Sequence, residues 1–252
     1  MQKKIVVHMY LKNGKAVTGF DGKELLEDGD VMSIAQHYSN NGADELLIFD
    51  LSDDDADHEQ SLNLIRQISR VIDIPMSGGG HIKNLEDVKK LLYAGCQQVF
   101  LNYAKAANIE LTEEVSKRFG KEKIAICTDS FAQLQANKAR VNEYTSRVIL
   151  LCDEVDVRTT ARLVEVPVLP VSTRADRHGL LKLLMLDNIC GVCGDTFSDL
   201  NEDLMAAKLE AKKHGVEINT FESKMSWNEL KLNSDGMIPV VVQDYKNLEV
   251  LM

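Results

Sequence analysis

Apolar residues along this chain fall in short runs rich in β-branched side chains. Each run is followed by a longer stretch in which apolar positions recur at three- and four-residue spacing. The short runs predict strands at 5–9, 45–50, 74–77, 98–102, 124–128, 148–152, 167–171 and 189–193. Most are apolar at every position rather than at alternate ones, as expected of strands buried on both faces of a parallel sheet. The stretches between them carry helix punctuation. "DVMSIAQHYSNNG" starts after Gly29-Asp30 and stops at Gly42, and "NLEDVKKLLYAGC" has Asn84 as its N-cap and Gly95 at its end. "NEDLMAAKLEAKKHGV" closes on Lys212, Lys213 and His214 before Gly215. Strands alternating with helices over roughly 220 residues predict an α/β fold, a (β/α)8 TIM barrel, with a doubly wound open sheet as the alternative.

A shift of 92 positions lays "IPMSGGGHIKNLEDVKKLLYAGCQQVFLN" over "VPVLPVSTRADRHGLLKLLMLDNICGVCG" without a gap, pairing Pro75 with Pro167 and Lys90 with Lys182. The same strand–helix–strand unit in both halves is what two similar half-barrels would leave. The copies differ at the strand end. The first has Ser77-Gly78-Gly79-Gly80, where backbone amides can approach a phosphate and feed the next helix start. The second has Leu169-Pro170-Val171-Ser172, where proline lacks an N–H and Val171 adds bulk. One phosphate site is expected, not two. A bare strand-to-helix turn is the competing reading of the glycines.

Composition narrows the function. Apolar residues make up 44% and charged ones 27% of 252 residues, ordinary for a globular protein. The net charge of −10 argues against nucleic-acid or anionic-membrane partners, and no apolar run is long enough to span a bilayer. The N-terminus turns polar too early for a signal peptide, and a cytoplasmic location is expected. Five scattered cysteines read as reduced thiols rather than a disulfide framework. Cys190-Gly-Val-Cys193 has redox or zinc spacing but no second pair, so no metal and no cofactor are expected. The acidic run "SDDDAD" reads as a solvated loop.

The motifs "KNGKAVTGF", "GDVMSIAQHYSNNGADELLIFDL", "DIPMSGGGHI", "GCQQVFLNYA" and "AKKHGVEI" resemble the histidine-biosynthesis barrels. These are the cyclase subunit of imidazole glycerol phosphate synthase and its relative, the phosphoribosylformimino aminoimidazole carboxamide ribotide isomerase. The likeness covers about residues 1–222, is nearer to the cyclase subunit, and implies a barrel of the ribulose-phosphate-binding type. Both enzymes use an aspartate at the end of the first strand as general acid/base, where this sequence has Tyr10. A phenol with a reference pKa of about 10 is a poor proton acceptor near neutrality. Thr18 stands where the cyclase has a lysine, and Tyr103 where a threonine follows Asn102. The partner aspartate matches Asp129, which makes it the candidate catalytic residue. Gly78, Gly79, Gly80 and Asn102 match the phosphate-binding positions, and Asp50 and His81 are candidates for the barrel mouth. Only 18 residues separate Asp129 from Val148, which suggests a barrel thinned there.

The last stretch, "WNELKLNSDGMIPVVVQDYKNLEVLM", is similar to the opening strands of phosphoribosyl-AMP cyclohydrolase, a zinc- and magnesium-using enzyme of the same pathway. That enzyme's metal-binding motifs are absent from it. Residues 223–252 are therefore expected to be a short C-terminal β fragment of a second domain, with a strand at 237–242. The full-length fusion would then be a phosphoribosyl-AMP cyclohydrolase. Three functions follow from the resemblance. The barrel has degraded chemistry and a residual phosphate site for a phosphorylated ribonucleotide; or it is an active cyclase or isomerase; or it is a scaffold for a glutaminase or cyclohydrolase partner.

Overall fold

A computed structural model describes residues 2–26, 30–153, 155–221, 225–244 and 249–252. The strands are β1 (Lys4–Lys12), β2 (Lys15–Thr18), β3 (Glu24–Leu25), β4 (Glu45–Asp50), β5 (Met76–Gly79), β6 (Gln98–Asn102), β7 (Ile124–Thr128), β8 (Arg147–Leu151), β9 (Val168–Ser172) and β10 (Gly191–Gly194). β1 and β4 to β10 pair in parallel in chain order, and β10 returns to β1 with Lys4 opposite Gly191, closing an eight-stranded barrel. Helices lie between the strands: α1 (Val31–Asn40), α2 (Asp55–Val71), α3 (Leu85–Tyr93), α4 (Ala106–Phe119), α5 (Phe131–Ala136), α6 (Lys138–Tyr144), α7 (Val157–Leu163), α8 (Arg177–Leu184), α9 (Asp195–Ser198) and α10 (Leu204–Lys213). The barrel is the (β/α)8 architecture and not an open sheet.

All eight expected strands form, with ends moved by up to three residues. The caps explain the helix starts. Asp30 accepts from the amides of Met32 and Ser33, and Asn84 and Asp87 form a reciprocal capping box. Gly29, the expected approach to α1, lies outside the described residues. The half-barrel repeat is visible in these caps: Asn84 heads α3 and Asp176, 92 positions on, heads α8. The segment after Asp129 is short but not thinned. It holds α5 and α6, broken at Asn137, and β7 and β8 pair in register from Ala125–Arg147 to Thr128–Leu150.

Two cores result from strand alternation in a closed sheet. One lies between strands and helices and includes Ile5, Val7, Leu46, Ile48, Leu62, Ile65 and Val99. The other fills the barrel with Val6, Tyr10, Leu47, Phe49, Phe100, Ala125, Cys127, Ile149, Leu169 and Cys193. At the N-terminal end the barrel is closed by Arg147, which donates to Glu45 Oε1 at 2.6 Å and Oε2 at 2.9 Å, with Ser77 Oγ–H on Glu45 Oε1 at 2.7 Å. Burial opposes ionisation of Glu45, but the Arg147 guanidinium overrides it and holds the carboxyl down at about 2.

At the opposite end, Asn13 and Gly14, at φ 49° and 67°, make the two-residue turn that joins β1 to β2. β2 and β3 extend the sheet past β1 as an antiparallel excursion. No helix among the described residues is long and apolar enough to cross a membrane.

Residues Thr220–Met252 form a unit of their own, apart from Met1–Asn219. The expected boundary at 222 and 223 lies outside the described residues. Ser226 and Glu229 cap a single 3-10 turn, and a second turn is closed by Asn233 and Gly236. The run at 237–242 does not form a strand. The one bridge described in this unit joins Gln243 to Val250, while Met237, Val240, Val241 and Leu251 stay exposed. Among the described residues this unit has no α-helix and no third strand of its own, and two short strands alone gain too little burial to hold a ladder.

Candidate functional site

The C-terminal mouth gathers most of the residues expected to act. A cavity of about 390 Å³ is lined by Gly79, Gly80, His81, Asn102, Asp50 and Asp129, together with Lys12 and Lys105. Gly78 is not among them. It faces outward, where an added Cβ would sit 2.7 Å from Cys96 Sγ, so its lack of a side chain serves the packing of α3. Gly79 turns inward beneath the Phe100 ring. Gly80 has φ +116° and an added Cβ would collide with the Asp50 carbonyl oxygen. Each glycine therefore has a steric reason of its own.

Asn102 ends β6 and builds the turn into α4. Its Oδ1 accepts from the Ala104 amide at 2.9 Å, and its carbonyl accepts from the Lys105 amide at 3.1 Å. The α4 N-terminus has Lys105 at the cap position and no side-chain cap. The Asn108 amide of its first turn donates to the Lys105 carbonyl at 3.0 Å, no bond is described for the Ala106 and Ala107 amides, and the exposed Lys105 lies beside them. Lys12 reaches across to Asp53 at 2.9 Å.

Asp50 is not a free mouth acid. It is buried, with Oδ2 at 2.5 Å from His58 Nδ1 and Oδ1 accepting from the Ser52 amide at 3.1 Å. His81 sits at φ 49°, with Nδ1 at 3.0 Å from the Ser52 carbonyl, Nε2 at 2.7 Å from Asp55, and its ring stacked on His58. Both ring nitrogens are thus engaged by protein groups. Asp129 differs from both: it follows β7, is exposed, and has no hydrogen-bond partner among the described residues.

Tyr10 points into the barrel and is buried. Its ring lies 4.8 Å from that of His8, 4.8 Å from Phe20 and 5.4 Å from Phe49, and Phe49 lies 5.1 Å from Phe100. Its hydroxyl has no partner among the described residues. Burial, and then the carboxylate of Asp195, push the phenol well above its ordinary pKa of 10.0, so it stays protonated at neutral pH. Tyr10 and Asp129 line different cavities, and the rings of Phe20, Phe49 and Phe100 border the one that contains Asp129. The aromatic cluster was not anticipated from the sequence. The Asn13-Gly14 turn that folds Phe20 back was a legible hairpin signal.

In the second half the strand end that matches the glycine run is bonded from within. Asp153, after β8, accepts the Thr173 amide at 3.1 Å and the Ser172 hydroxyl at 2.5 Å. Ser172 Oγ in turn accepts the amides of Arg174 and Ala175 at 3.2 and 2.9 Å. Burial works against the Asp153 charge, but these donors hold its carboxyl below the usual range. The amides that a phosphate would use are already satisfied by a carboxylate and a hydroxyl. Cys193, buried in the barrel, lies 3.4 Å from His8 Nδ1, and all five thiols are free. Among the described residues no three His, Cys, Asp or Glu side chains converge as a metal site.

A family model described as histidine biosynthesis protein matches residues 4–187. The chain belongs to that family. Among its relatives, the imidazole glycerol phosphate synthase subunit HisF of Flavobacterium psychrophilum is 33% identical over 130 residues, 52% of each chain. The subunit of the same name from Haemophilus influenzae is 32% identical over 162 residues, 64% of this chain and 60% of the relative. That of Helicobacter hepaticus is 34% identical over 132 residues, 51% of each. The matched stretch thus spans about half the length of most of these relatives. This histidine-biosynthesis barrel is HisF-like in sequence, and its own strands close as a (β/α)8 barrel. It carries Tyr10 in an aromatic cluster at the mouth.

Proposed function

We propose that this barrel is a histidine-biosynthesis module whose ring-closing or isomerising chemistry has been lost, and whose mouth keeps one anion site for a phosphorylated ribonucleotide. The observation that carries the reading is Tyr10. A buried, protonated phenol packed against three rings stands where the resemblance calls for a first-strand carboxylate. Coordinated proton transfer needs two groups able to exchange protons on one substrate, and Asp129 alone can bind or polarise but not complete the pair. The uncapped start of α4 with Lys105, together with Lys12 and Gly80, supports a single anion site. The internal Asp153 contacts support the loss of a second one.

Two measurements test this. Calorimetry with the pathway's phosphoribosyl aminoimidazole carboxamide ribonucleotide should show one binding site per barrel, weakened by Lys105→Ala. A turnover assay with that ribonucleotide and ammonia should show no product above background. Turnover abolished by Asp129→Asn would establish instead the second reading, an active cyclase or isomerase. That reading is favoured by the exposed, unpartnered Asp129 on the wall of the same cavity.

Residues 223–252 fit the start of a cyclohydrolase-like domain, with the barrel in front of it as a cytoplasmic fusion partner. A scaffold role toward a glutaminase or a cyclohydrolase domain is supported by the word "subunit" in the relatives' names and by the exposed apolar residues of the C-terminal unit. Co-elution of the chain with a separately produced glutaminase checks it.

A further inference from the structure

The chain has two Asn-Gly pairs, Asn13-Gly14 and Asn41-Gly42. We propose that Asn13 is a site of spontaneous covalent modification, converted by water to aspartate and isoaspartate, and that the fold protects Asn41 from the same fate. The Gly14 backbone nitrogen attacks Cγ of Asn13, and the side-chain amide leaves as ammonia, taking the Gly14 N–H proton. A five-membered succinimide results. Water opening it at Cγ gives aspartate on the normal chain. Water opening it at the Asn13 backbone carbonyl routes the chain through Cβ and Cγ, as isoaspartate. Glycine is the neighbour that lets this happen, because no Cβ obstructs the approach of its nitrogen.

The surroundings of the two pairs differ. Asn13 is exposed at the tip of the β1–β2 turn, and neither its side-chain amide nor the Gly14 N–H has a hydrogen-bond partner among the described residues. Lys12 and Lys15 are paired across the turn, and their charges favour the anionic nitrogen that attacks. Attack needs the turn to open briefly, and an exposed hairpin tip opens at little cost. The pair is also what the turn requires, since a two-residue hairpin needs positive φ at both positions, here 49° and 67°. Asn41 instead ends α1. Its Nδ2 lies 2.6 Å from His37 Nε2, its backbone N–H donates to the His37 carbonyl at 2.9 Å, and Gly42 is buried. The product at residue 13 acts on the mouth. A carboxylate there competes with Asp53 for Lys12, which lines the mouth cavity. Isoaspartate adds a main-chain atom to a two-residue turn and disturbs the register of Tyr10 with Val17 and Leu11 with Ala16.

The test is to age the full chain in mildly alkaline buffer, folded and in urea, and to follow its chymotryptic peptides by mass and chromatography. In the folded chain the peptide 12–20 should gain about one dalton and separate into aspartate and isoaspartate forms. The peptide 39–46 should convert at least about tenfold more slowly, the worth of the bonds that Asn41 must break first. In urea the two should convert at similar rates, because only the fold distinguishes them. Asn13→Asp, which makes the aspartate form directly, should reproduce one of the two sets of shifted amide NMR signals at Val17 and Phe20 in the aged chain. Equal conversion of both peptides in the folded chain overturns the proposal. So does an Asn13 that stays intact in the folded chain while the unfolded chain is converted.

Discussion

Removing one oxygen atom from Tyr10 should make this protein more stable. The hydroxyl is buried without a partner, and an unpaired buried donor or acceptor costs about 1–3 kcal/mol. Tyr10→Phe deletes that cost and keeps the ring contacts to His8, Phe20 and Phe49. A gain of about 1 kcal/mol is expected, which in a domain of this size raises Tm by roughly 2–4 °C. Tyr10→Asp, the change that would restore a carboxylate, should do the opposite. It truncates a buried aromatic at a cost of about 3–5 kcal/mol. It also places a charge among Asp195 and Asp153, which already disfavour ionisation of the phenol.

The assay is urea unfolding at pH 7, with slopes compared so that a midpoint shift reports stability alone. A second reading comes from alkaline pH. The folded phenol is held above its ordinary 10.0, so its contribution to stability is complete below that pH. That contribution is lost as pH rises further, because the unfolded chain ionises first. Tyr10→Phe should flatten this alkaline limb. If Tyr10→Phe instead loses more than 1 kcal/mol, the hydroxyl has a partner such as an ordered water, and the mouth-filling account of Tyr10 fails. If Tyr10→Asp is as stable as the parent, the mouth is open and the loss-of-chemistry reading fails with it.

Arg147→Met should cost about 3 kcal/mol, the low end for a broken buried pair because Glu45 keeps Lys4 at 3.0 Å and Ser77 at 2.7 Å, while Glu45→Leu with Arg147→Met should recover most of that, both read by urea unfolding. Glu45 titrates from 4.5 in the unfolded chain to about 2 when folded, so roughly 3 kcal/mol of stability present above pH 4.5 should fade between those values. Gly80→Ala should destabilise by more than about 1 kcal/mol, because φ +116° disfavours any side chain and the Asp50 carbonyl blocks the added Cβ; thermal melts decide it. Asp153→Asn should lose about 1–2 kcal/mol at pH 7 and remove part of the acid limb below pH 3.8, since the folded carboxyl ionises more readily than the unfolded one.

The pattern of apolar runs and caps was enough for the barrel, because strand burial and helix capping depend on residues near in sequence. Asn84 and Asp176 announce α3 and α8 from their own position and the few residues after it. The short segment after Asp129 misled because helix length was judged by relatives; α5 and α6 fit by breaking at Asn137. The run at 237–242 has strand-forming residues but no ladder, since propensity without a packing surface does not order a strand.

At the mouth, the sequence named Gly79, Gly80, His81, Asn102, Asp50 and Asp129, which line one cavity, and Gly78, which faces away from it. It also put a tyrosine, Tyr10, at the strand position where the resemblance calls for a carboxylate, a matter of identity at one residue. Only the tertiary structure decided which of these groups are free to act. Asp50 is bound by His58, His81 by Asp55, and the second anion position by Asp153, each from elements distant or unremarked in the chain. Tyr10 is buried because Phe20, Phe49 and Phe100 come from three different segments to surround it or border its cluster. Availability for chemistry is a property of what a side chain is packed and bonded against, and a closed barrel brings those partners together across its whole length.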